Sequence, residues 1–367
     1  MTSLQGSSRT LLCSFVIFLS SFTHLDCGGD NEVSAPDYLI ELYNKFNRGV
    51  GEVEEEEENA NKIFTFYRSG VTELEGFYLP QKAKLDFNIS AFNREDRILA
   101  SNLRVFVGDI SESIPLTKEG SVTAVTLKTT CKTRIYDRSD VLLVKGRVWR
   151  HTKQLKKSDT GQWIKIKVSS IERTLNNLTP YRHFYHFVVR CSITTQLSHG
   201  YLDKYGGRTP IFSISRSKEP TLVVYTVNNS SKPFREYMRS NQEGRQAALP
   251  GEGDQGVRAS RGFQHRCVLM DLYLNFTKLG WGSKIIHPLE LKINQCAGQC
   301  PYPMSHAIDH STSALFRGAW YKKFPDSVAR PCCVPSTYKP ATLMLSGDHV
   351  TVLKKFDDLI VSKCKCL

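Results

Sequence analysis

The sequence lacks the features that mark most enzymes and membrane proteins. It contains neither a serine-nucleophile signature nor a glycine-rich phosphate loop. Its closely spaced histidines, His306 and His310, lack the glutamate of the His-Glu-x-x-His zinc motif, so we expect them on an exposed or receptor-facing helix. After residue 22, no apolar run approaches the ~20 residues of a membrane-spanning helix. We therefore predict a protein that is not an enzyme and uses no metal or cofactor.

A short apolar run lies close to the N-terminus. Residues 11–22 follow Arg9 and are too few to cross a bilayer, which is typical of the core of a secretory signal peptide. We predict a signal peptide over residues 1–26 and a mature chain that is secreted and soluble. In that oxidising environment, cysteines are first interpreted as disulfides.

Cysteine is scarce over most of the chain and dense at its end. Seven of the eleven cysteines lie at or after residue 267. Of the other four, Cys13 falls in the predicted signal peptide and is lost with it, while Cys131 and Cys191 are candidates for a pair that the sequence does not decide. This distribution predicts an N-terminal part that buries its own core and a thinner C-terminal part that is held by disulfides.

The two parts are separated by a linker rich in glycine, glutamine and charge, over residues 241–267. Within it, Arg258 and Arg261 form the minimal Arg-x-x-Arg pattern that furin-type convertases cleave in accessible segments. We expect cleavage after Arg261, which leaves a propeptide of residues 27–261 and a mature domain of residues 262–367; the basic segment 232–235 is a weaker candidate.

The C-terminal cysteines have the spacing of a framework. Their number is odd, so one of them pairs with another molecule or stays free. Adjacent Cys332 and Cys333 are poorly placed to bridge each other. Bridging "CAGQC" to "CKC" closes a ring through which a third disulfide can pass, with Gly298 leaving the passage clear. Spacing alone permits many connectivities.

The segment from Cys267 to Leu367 resembles the signalling domain of the transforming growth factor-beta superfamily. The matching pieces are "CVLMDLYLNFTKLGWGSKIIHP", "CAGQCPYP", "ARPCCVPSTYKPATLML" and "CKCL". The resemblance implies a cystine-knot growth factor, a β-rich hand with two fingers and one helix. It also implies the pairs Cys267–Cys333, Cys296–Cys364 and Cys300–Cys366, and an interchain disulfide at Cys332.

Periodicity supports this architecture. Alternating apolar residues from Val268 to Leu274 predict a strand, and two β-rich runs around residues 346–348 predict a hairpin. Residues 305–323 suit one helix. In the propeptide, residues 35–48 predict an amphipathic helix like the one that packs on the growth factor in this family, although packing within its own domain is an alternative. Residues 63–227 predict a mostly β domain, and the acidic run 52–58 a solvated loop.

By resemblance, the chain is a dimeric ligand that brings together type I and type II serine/threonine kinase receptors and starts Smad signalling. "LGWGSKIIHP", "KPATLML" and "CKCL" are most similar to nodal, with the bone morphogenetic protein and growth/differentiation factor branch as the alternative. A secreted antagonist is a further alternative. The type I surface would include Trp281, Lys284, Phe356 and Leu359, and the type II surface His287, Lys292, Thr342, Leu343 and Leu353.

Lys284 departs from the family, which commonly has a second tryptophan three residues after the first. The segment 310–320 also lacks the usual Asn-His-Ala sequence, so we expect an atypical receptor preference or greater dependence on a co-receptor of the EGF-CFC type.

The remaining predictions concern modification and further partners. The net charge of +13 favours acidic glycans such as heparan sulfate over nucleic acid in a secreted chain. A homodimer is expected, and a heterodimer is an alternative. Five asparagines occupy glycosylation sequons: Asn88, Asn177, Asn228, Asn229 and Asn275.

Overall fold

The computed structural model describes residues 35–48, 53–75, 82–93, 95–108, 125–177, 185–197, 218–236, 238, 266–304 and 308–367. The predicted signal peptide, the cleavage residues Arg258 and Arg261, and His306 lie outside these residues. Among the described helices, none is long and apolar enough to cross a membrane.

The described part of the chain is dominated by β-strands. The helices are α1 (Asp37–Arg48), α2 (Glu55–Asn59), α3 (Ser170–Asn176) and α4 (Thr312–Lys323). The N-terminal strands are β1 (Lys62–Phe66), β2 (Gly70–Glu75), β3 (Lys82–Asn88), β4 (Arg97–Phe106), β5 (Val125–Tyr136), β6 (Leu142–Gln154), β7 (Trp163–Lys167), β8 (His186–Leu197) and β9 (Thr221–Val227). The C-terminal strands are β10 (Val268–Met270), β11 (Tyr273–Asn275), β12 (Ile285–His287), β13 (Glu290–Lys292), β14 (Gln295–Ala297), β15 (Cys333–Gly347) and β16 (Val350–Cys366).

Two antiparallel sheets form the main core. One has five strands in the order β2-β3-β8-β5-β6, and the other has seven in the order β12-β15-β16-β1-β9-β4-β7. Alternate side chains of the five-stranded sheet, such as Phe87 and Ile193, are fully buried against apolar residues of the seven-stranded sheet, such as Leu103 and Ile166. This is the packing expected when the apolar faces of two sheets meet.

The seven-stranded sheet joins the two parts of the chain. Strand β1 pairs with β9 on one side and with β16 on the other, so that Ile63 is opposite both Tyr225 and Leu353. Both faces of its central strands β1 and β9 are covered, so almost every residue of these two strands is buried and most are apolar. The C-terminal hairpin thus shares one hydrogen-bonded sheet with the N-terminal domain.

Helix α1 covers the outer face of the seven-stranded sheet. It begins at Asp37, directly after Pro36, and its apolar residues Leu39 and Phe46 are fully buried. The ring of Tyr38 lies against Trp163 of β7, while the ring of Tyr43 lies against His287 of β12. The helix therefore crosses the sheet from its last strand to its first.

The acidic run differs from the predicted solvated loop. Residues 55–59 form the short helix α2, and Glu57 is only 5% exposed. Its carboxylate lies 3.3 Å from the Arg104 guanidinium, while Glu54 and Glu56 pair with Lys165 and Lys167 of β7. The run forms a helix because β4 and β7 carry cations that pair with its glutamates. These cations are distant in the sequence, so the acidic run alone does not predict the pairing.

Helix α4 is shorter than predicted. It starts at Thr312 because the Ser311 hydroxyl accepts a hydrogen bond from the Ala314 amide at 3.1 Å, which caps the helix. His310 precedes the cap, and its Nδ1 lies 2.7 Å from the carbonyl oxygen of Ile308. His310 therefore lies outside the helix, and the prediction that places it on this helix is wrong.

Cys131 and Cys191 form a disulfide between neighbouring strands β5 and β8. Both residues are fully buried in the main core. This bridge resolves a pairing that the sequence left open.

Candidate functional site

Three disulfides gather at the base of the C-terminal hairpin. Cys267 is joined to Cys333, Cys296 to Cys364 and Cys300 to Cys366, which are the pairs that the resemblance implies. Strand pairing explains the arrangement, because β14 carries Cys296 beside β10, while β15 and β16 place Cys333 opposite Cys366. The sulfur atoms of Cys267, Cys300 and Cys366 all lie within 4.8 Å of one another. They are held in disulfides, so this cluster is structural and offers no free thiolate to a metal.

Gly298 makes the close packing of this knot possible. Its φ is +97°, and a Cβ at this position would lie 1.9 Å from the carbonyl oxygen of Arg266. The backbone that leads into Cys267 therefore occupies the space that any side chain at position 298 would need. The sequence predicts that Gly298 leaves room for the third disulfide, and in the structure the backbone before Cys267 uses that room.

Cys332 is exposed and has no disulfide partner among the described cysteines. Its neighbour Cys333 is committed to the knot, and the Cys332 amide and carbonyl are bonded to the Leu367 backbone. These bonds hold the thiol at the surface beside the knot, where a second molecule can reach it.

One face of the C-terminal hairpin carries an apolar cluster that is partly open to solvent. Phe276, Ile285 and Leu343 are buried at its centre. Trp281, Phe356 and Leu359 pack around them and keep part of their surface exposed. The structure thus brings together the three apolar residues predicted for a type I surface. Lys284 is exposed nearby, and its amide donates to the carbonyl oxygen of Trp281.

The opposite face of the same hairpin is covered. Met344 and Leu353 are directly opposite on β15 and β16, and both are fully buried. They pack with α1 residues such as Leu39 and Leu42, and Ile286 lies at the margin of the cluster. The helix therefore occupies the face that holds Leu353, which was predicted to contact a type II receptor.

The structure separates Leu343 from Leu353, with which the sequence groups it as part of one receptor surface. Leu343 is in the cluster with Phe356, because successive residues of a strand point to opposite sides of the sheet. Thr342 is on the same side as Leu353 but is only 1% exposed. The single surface proposed for these residues is therefore divided between two faces.

His287 and Lys292 lie outside the two strands of the hairpin, in β12 and β13. Burial lowers the pKa of His287, whose ring packs edge-on against Tyr43 at 4.5 Å between centroids. Lys292 is half-exposed and pairs with Asp271 at 2.9 Å. His287 is thus a residue of the helix contact, whereas Lys292 belongs to the separate β11–β13 ribbon.

Buried charges at the junction escaped the sequence analysis. Lys62 is bound to the fully buried Asp96 at 2.9 Å, and Lys355 is bound to Asp357 at 2.6 Å. Lys62 is also the cross-strand neighbour of Lys354, whose pKa is lowered to about 8 by burial and by the Lys62 charge. Each of these lysines lies within a strand, where a lysine is ordinarily expected to be exposed. The sequence therefore does not predict that their side chains are buried.

The sequon asparagines differ in accessibility. Asn88, Asn177 and Asn229 are exposed, whereas Asn228 and Asn275 are half-buried. The side-chain nitrogen of Asn228 donates to Asp96 at 2.7 Å.

Comparison with known proteins places the disulfide-linked region in a family. Residues 266–366 match the family described as "Transforming growth factor beta like domain". Similar curated proteins include growth/differentiation factor 15 of Rattus norvegicus, 35% identical over 100 residues, which are 27% of this chain and 32% of that protein. Growth/differentiation factor 9 of Homo sapiens is 33% identical over 104 residues, 28% of this chain and 23% of that protein. Growth/differentiation factor 6-A of Danio rerio is 31% identical over 113 residues, 30% of this chain and 28% of that protein.

The region that matches this family model has a β-rich, disulfide-linked structure. The chain spans about a third or less of the length of these relatives.

Proposed function

We propose that this chain is the precursor of a secreted, dimeric growth factor that brings together type I and type II serine/threonine kinase receptors. The observation that carries the proposal is the three-disulfide knot within a region that matches the growth-factor family, with Cys332 exposed beside it. A twofold dimer presents each surface twice, so it can assemble two receptors of each type. The proximity of the receptor kinases would then start Smad signalling.

Exposed aromatic residues on α4 support a dimer. Phe316 is 70% exposed and Trp320 is 54% exposed, so a large apolar surface faces solvent in the single chain. Large exposed apolar patches commonly mark sites of protein association. In the family that this domain matches, the helix packs against the concave surface of the other protomer. That arrangement would cover Phe316 and place the helix beside Trp281 and Phe356.

The covered face supports a precursor that needs processing. We assign residues 27–261 to a propeptide and expect a furin-type convertase to cleave after Arg261. Helix α1 and strand β1 contact the hairpin without a covalent bond once that cut is made, so they can dissociate. A type II receptor can reach Leu353 only after α1 has moved.

Two branches of the family remain candidates. The motifs around Trp281 and at the C-terminus favour a nodal-like ligand, which would use a co-receptor of the EGF-CFC type. The growth/differentiation factors among the similar proteins favour the other branch equally. A Smad reporter measured in cells with and without the co-receptor distinguishes them, since a nodal-like ligand requires it.

The dimer is tested by mass analysis of the secreted protein, with and without reductant. We expect a fragment beginning at Gly262 whose mass doubles without reductant, and a Cys332→Ser variant whose fragment stays single. A wild-type fragment that stays single would contradict the covalent dimer and favour an antagonist. Activity of the same samples in the reporter assay separates a ligand from an inhibitor.

A further inference from the structure

The outer face of the five-stranded sheet is strongly basic. Along β5, the inward residues from Leu127 to Ile135 are buried, and the residues between them point to solvent. Those outward residues include Lys128, Lys132 and Arg134. The strand thus alternates between core residues and cations, with a repeat of two.

The neighbouring strands extend this basic surface. On β6, Arg150 lies opposite Thr130, and Lys145 lies opposite Arg134. On β8, Arg190 lies opposite Lys132. Strands are about 4.8 Å apart and alternate residues about 6.8 Å apart, so these cations form a regular two-dimensional array. We call the five residues of β5 and β6 the basic outer face: Lys128, Lys132, Arg134, Lys145 and Arg150.

The basic outer face has little internal compensation. Within the described residues, none of its five cations lies within 4.0 Å of a carboxylate, and all but Arg134 are exposed. Asp86, the acidic residue of the adjoining strand β3, is already bound by Arg190 at 2.6 Å. Like charges directly opposite each other, as Arg134 and Lys145 are, destabilise a sheet.

Protection of a sheet edge explains only part of this pattern. Strand β6 is the edge of the sheet, and lysines there discourage pairing with another chain. Strand β5 is interior, however, with partners on both sides, so Lys128 and Lys132 have no such role. Thr126, Thr130 and Thr152 lie on the same face as the cations, and their hydroxyl groups can donate to anionic oxygens.

We propose that the basic outer face binds a sulfated glycosaminoglycan and thereby holds the precursor at the extracellular matrix. A linear polyanion matches a flat array of cations spaced at roughly 5 to 7 Å. The choice of a matrix glycan rests on the proposed secretion of the chain. After cleavage and dissociation, the basic outer face would leave with the propeptide. Only the uncleaved precursor would then be held at the matrix.

The test is the salt concentration at which the full-length precursor elutes from immobilised heparin. In one variant, Lys128, Lys132 and Arg150 are replaced by threonine, which suits exposed strand positions. The matched control replaces the exposed Lys278, Lys339 and Lys363 by threonine and changes the net charge equally. At about 0.15 M salt we expect at least about a tenfold loss of affinity in the first variant and little loss in the control, since each released counterion contributes.

Equal shifts in the two variants, or no shift in either, would overturn the proposal. Desulfated heparin serves as a competitor and should fail to displace the precursor. Binding of the precursor to vesicles that contain phosphatidylserine is measured in parallel. Binding to vesicles without binding to heparin would favour a membrane surface and contradict the proposal. The Smad reporter assay on the purified variant distinguishes this outcome from failure of the ligand proposal, because the basic outer face is remote in sequence from the predicted receptor residues.

Discussion

Ile63 and Leu353 are paired across adjacent antiparallel strands, and both are fully buried beneath helix α1. The predicted cleavage after Arg261 would leave these two residues on separate polypeptides. The hydrophobic cluster and the strand pairing that they share would then become a noncovalent interface. Its strength would set how readily the mature domain is released.

Truncation of Leu353 should loosen α1. Leu353→Ala removes buried apolar volume beneath the helix and should destabilise the contact by about 2–5 kcal/mol. Hydrogen–deuterium exchange of residues 37–48 in the precursor should become faster. Leu359→Ala is the control, because Leu359 lies in the cluster with Trp281. Equal acceleration by both substitutions would show that the effect is global.

Acidification should weaken the same contact through His287. Burial lowers its pKa, so the packed state holds fewer protons than the released state, and the stability contributed by neutral His287 is lost as the pH falls through the pKa. After correction for the slower intrinsic amide exchange at lower pH, residues 37–48 should therefore be less protected at about pH 5.5 than at about pH 7.5. His287→Gln should reduce this difference, whereas replacing the exposed His349 should leave it unchanged. An undiminished pH effect in His287→Gln would assign it to other groups.

An alanine at position 298 should prevent formation of the native knot. Its Cβ would collide with the backbone of Arg266, which cannot move without displacing Cys267. Secretion should fall strongly, and non-reducing peptide maps should show altered disulfides. Gly280→Ala separates the collision from backbone strain, since Gly280 also has a positive φ but open space around it, and should cost only about 1 kcal/mol. Native disulfides in Gly298→Ala would contradict this account.

Of the two overlapping sequons, Asn229 should carry the glycan. Its side chain is exposed, whereas the Asn228 amide is engaged by the buried Asp96. Asn229→Gln should remove one glycan mass from the propeptide, while Asn228→Gln should retain it and lower stability by about 1–3 kcal/mol, because Asp96 loses a donor. The reverse pattern of masses would refute the assignment.

The sequence predicted the local architecture better than the long-range contacts. Alternation and turn residues gave the β15–β16 hairpin around Gly347, because those signals depend on neighbours in the chain. The burial of Glu57 and Lys62 depends on Arg104 and Asp96, which are distant in sequence. Predicting that Leu343 and Leu353 lie on opposite faces requires the register of β15 against β16. That pairing contains bulges, so its register could not be counted from the hairpin turn.

The pairing of β1 with β16 also bears on how the C-terminal domain can be handled in solution. In the precursor, the backbone groups of residues 350–354 are satisfied by residues 62–66. Without that strand, the hairpin has an open edge flanked by apolar residues such as Val352, and such edges recruit strands from other molecules. By pairing with β16, the N-terminal domain therefore keeps this edge from pairing with other molecules. A C-terminal domain produced alone would expose this edge and should aggregate more readily than the precursor.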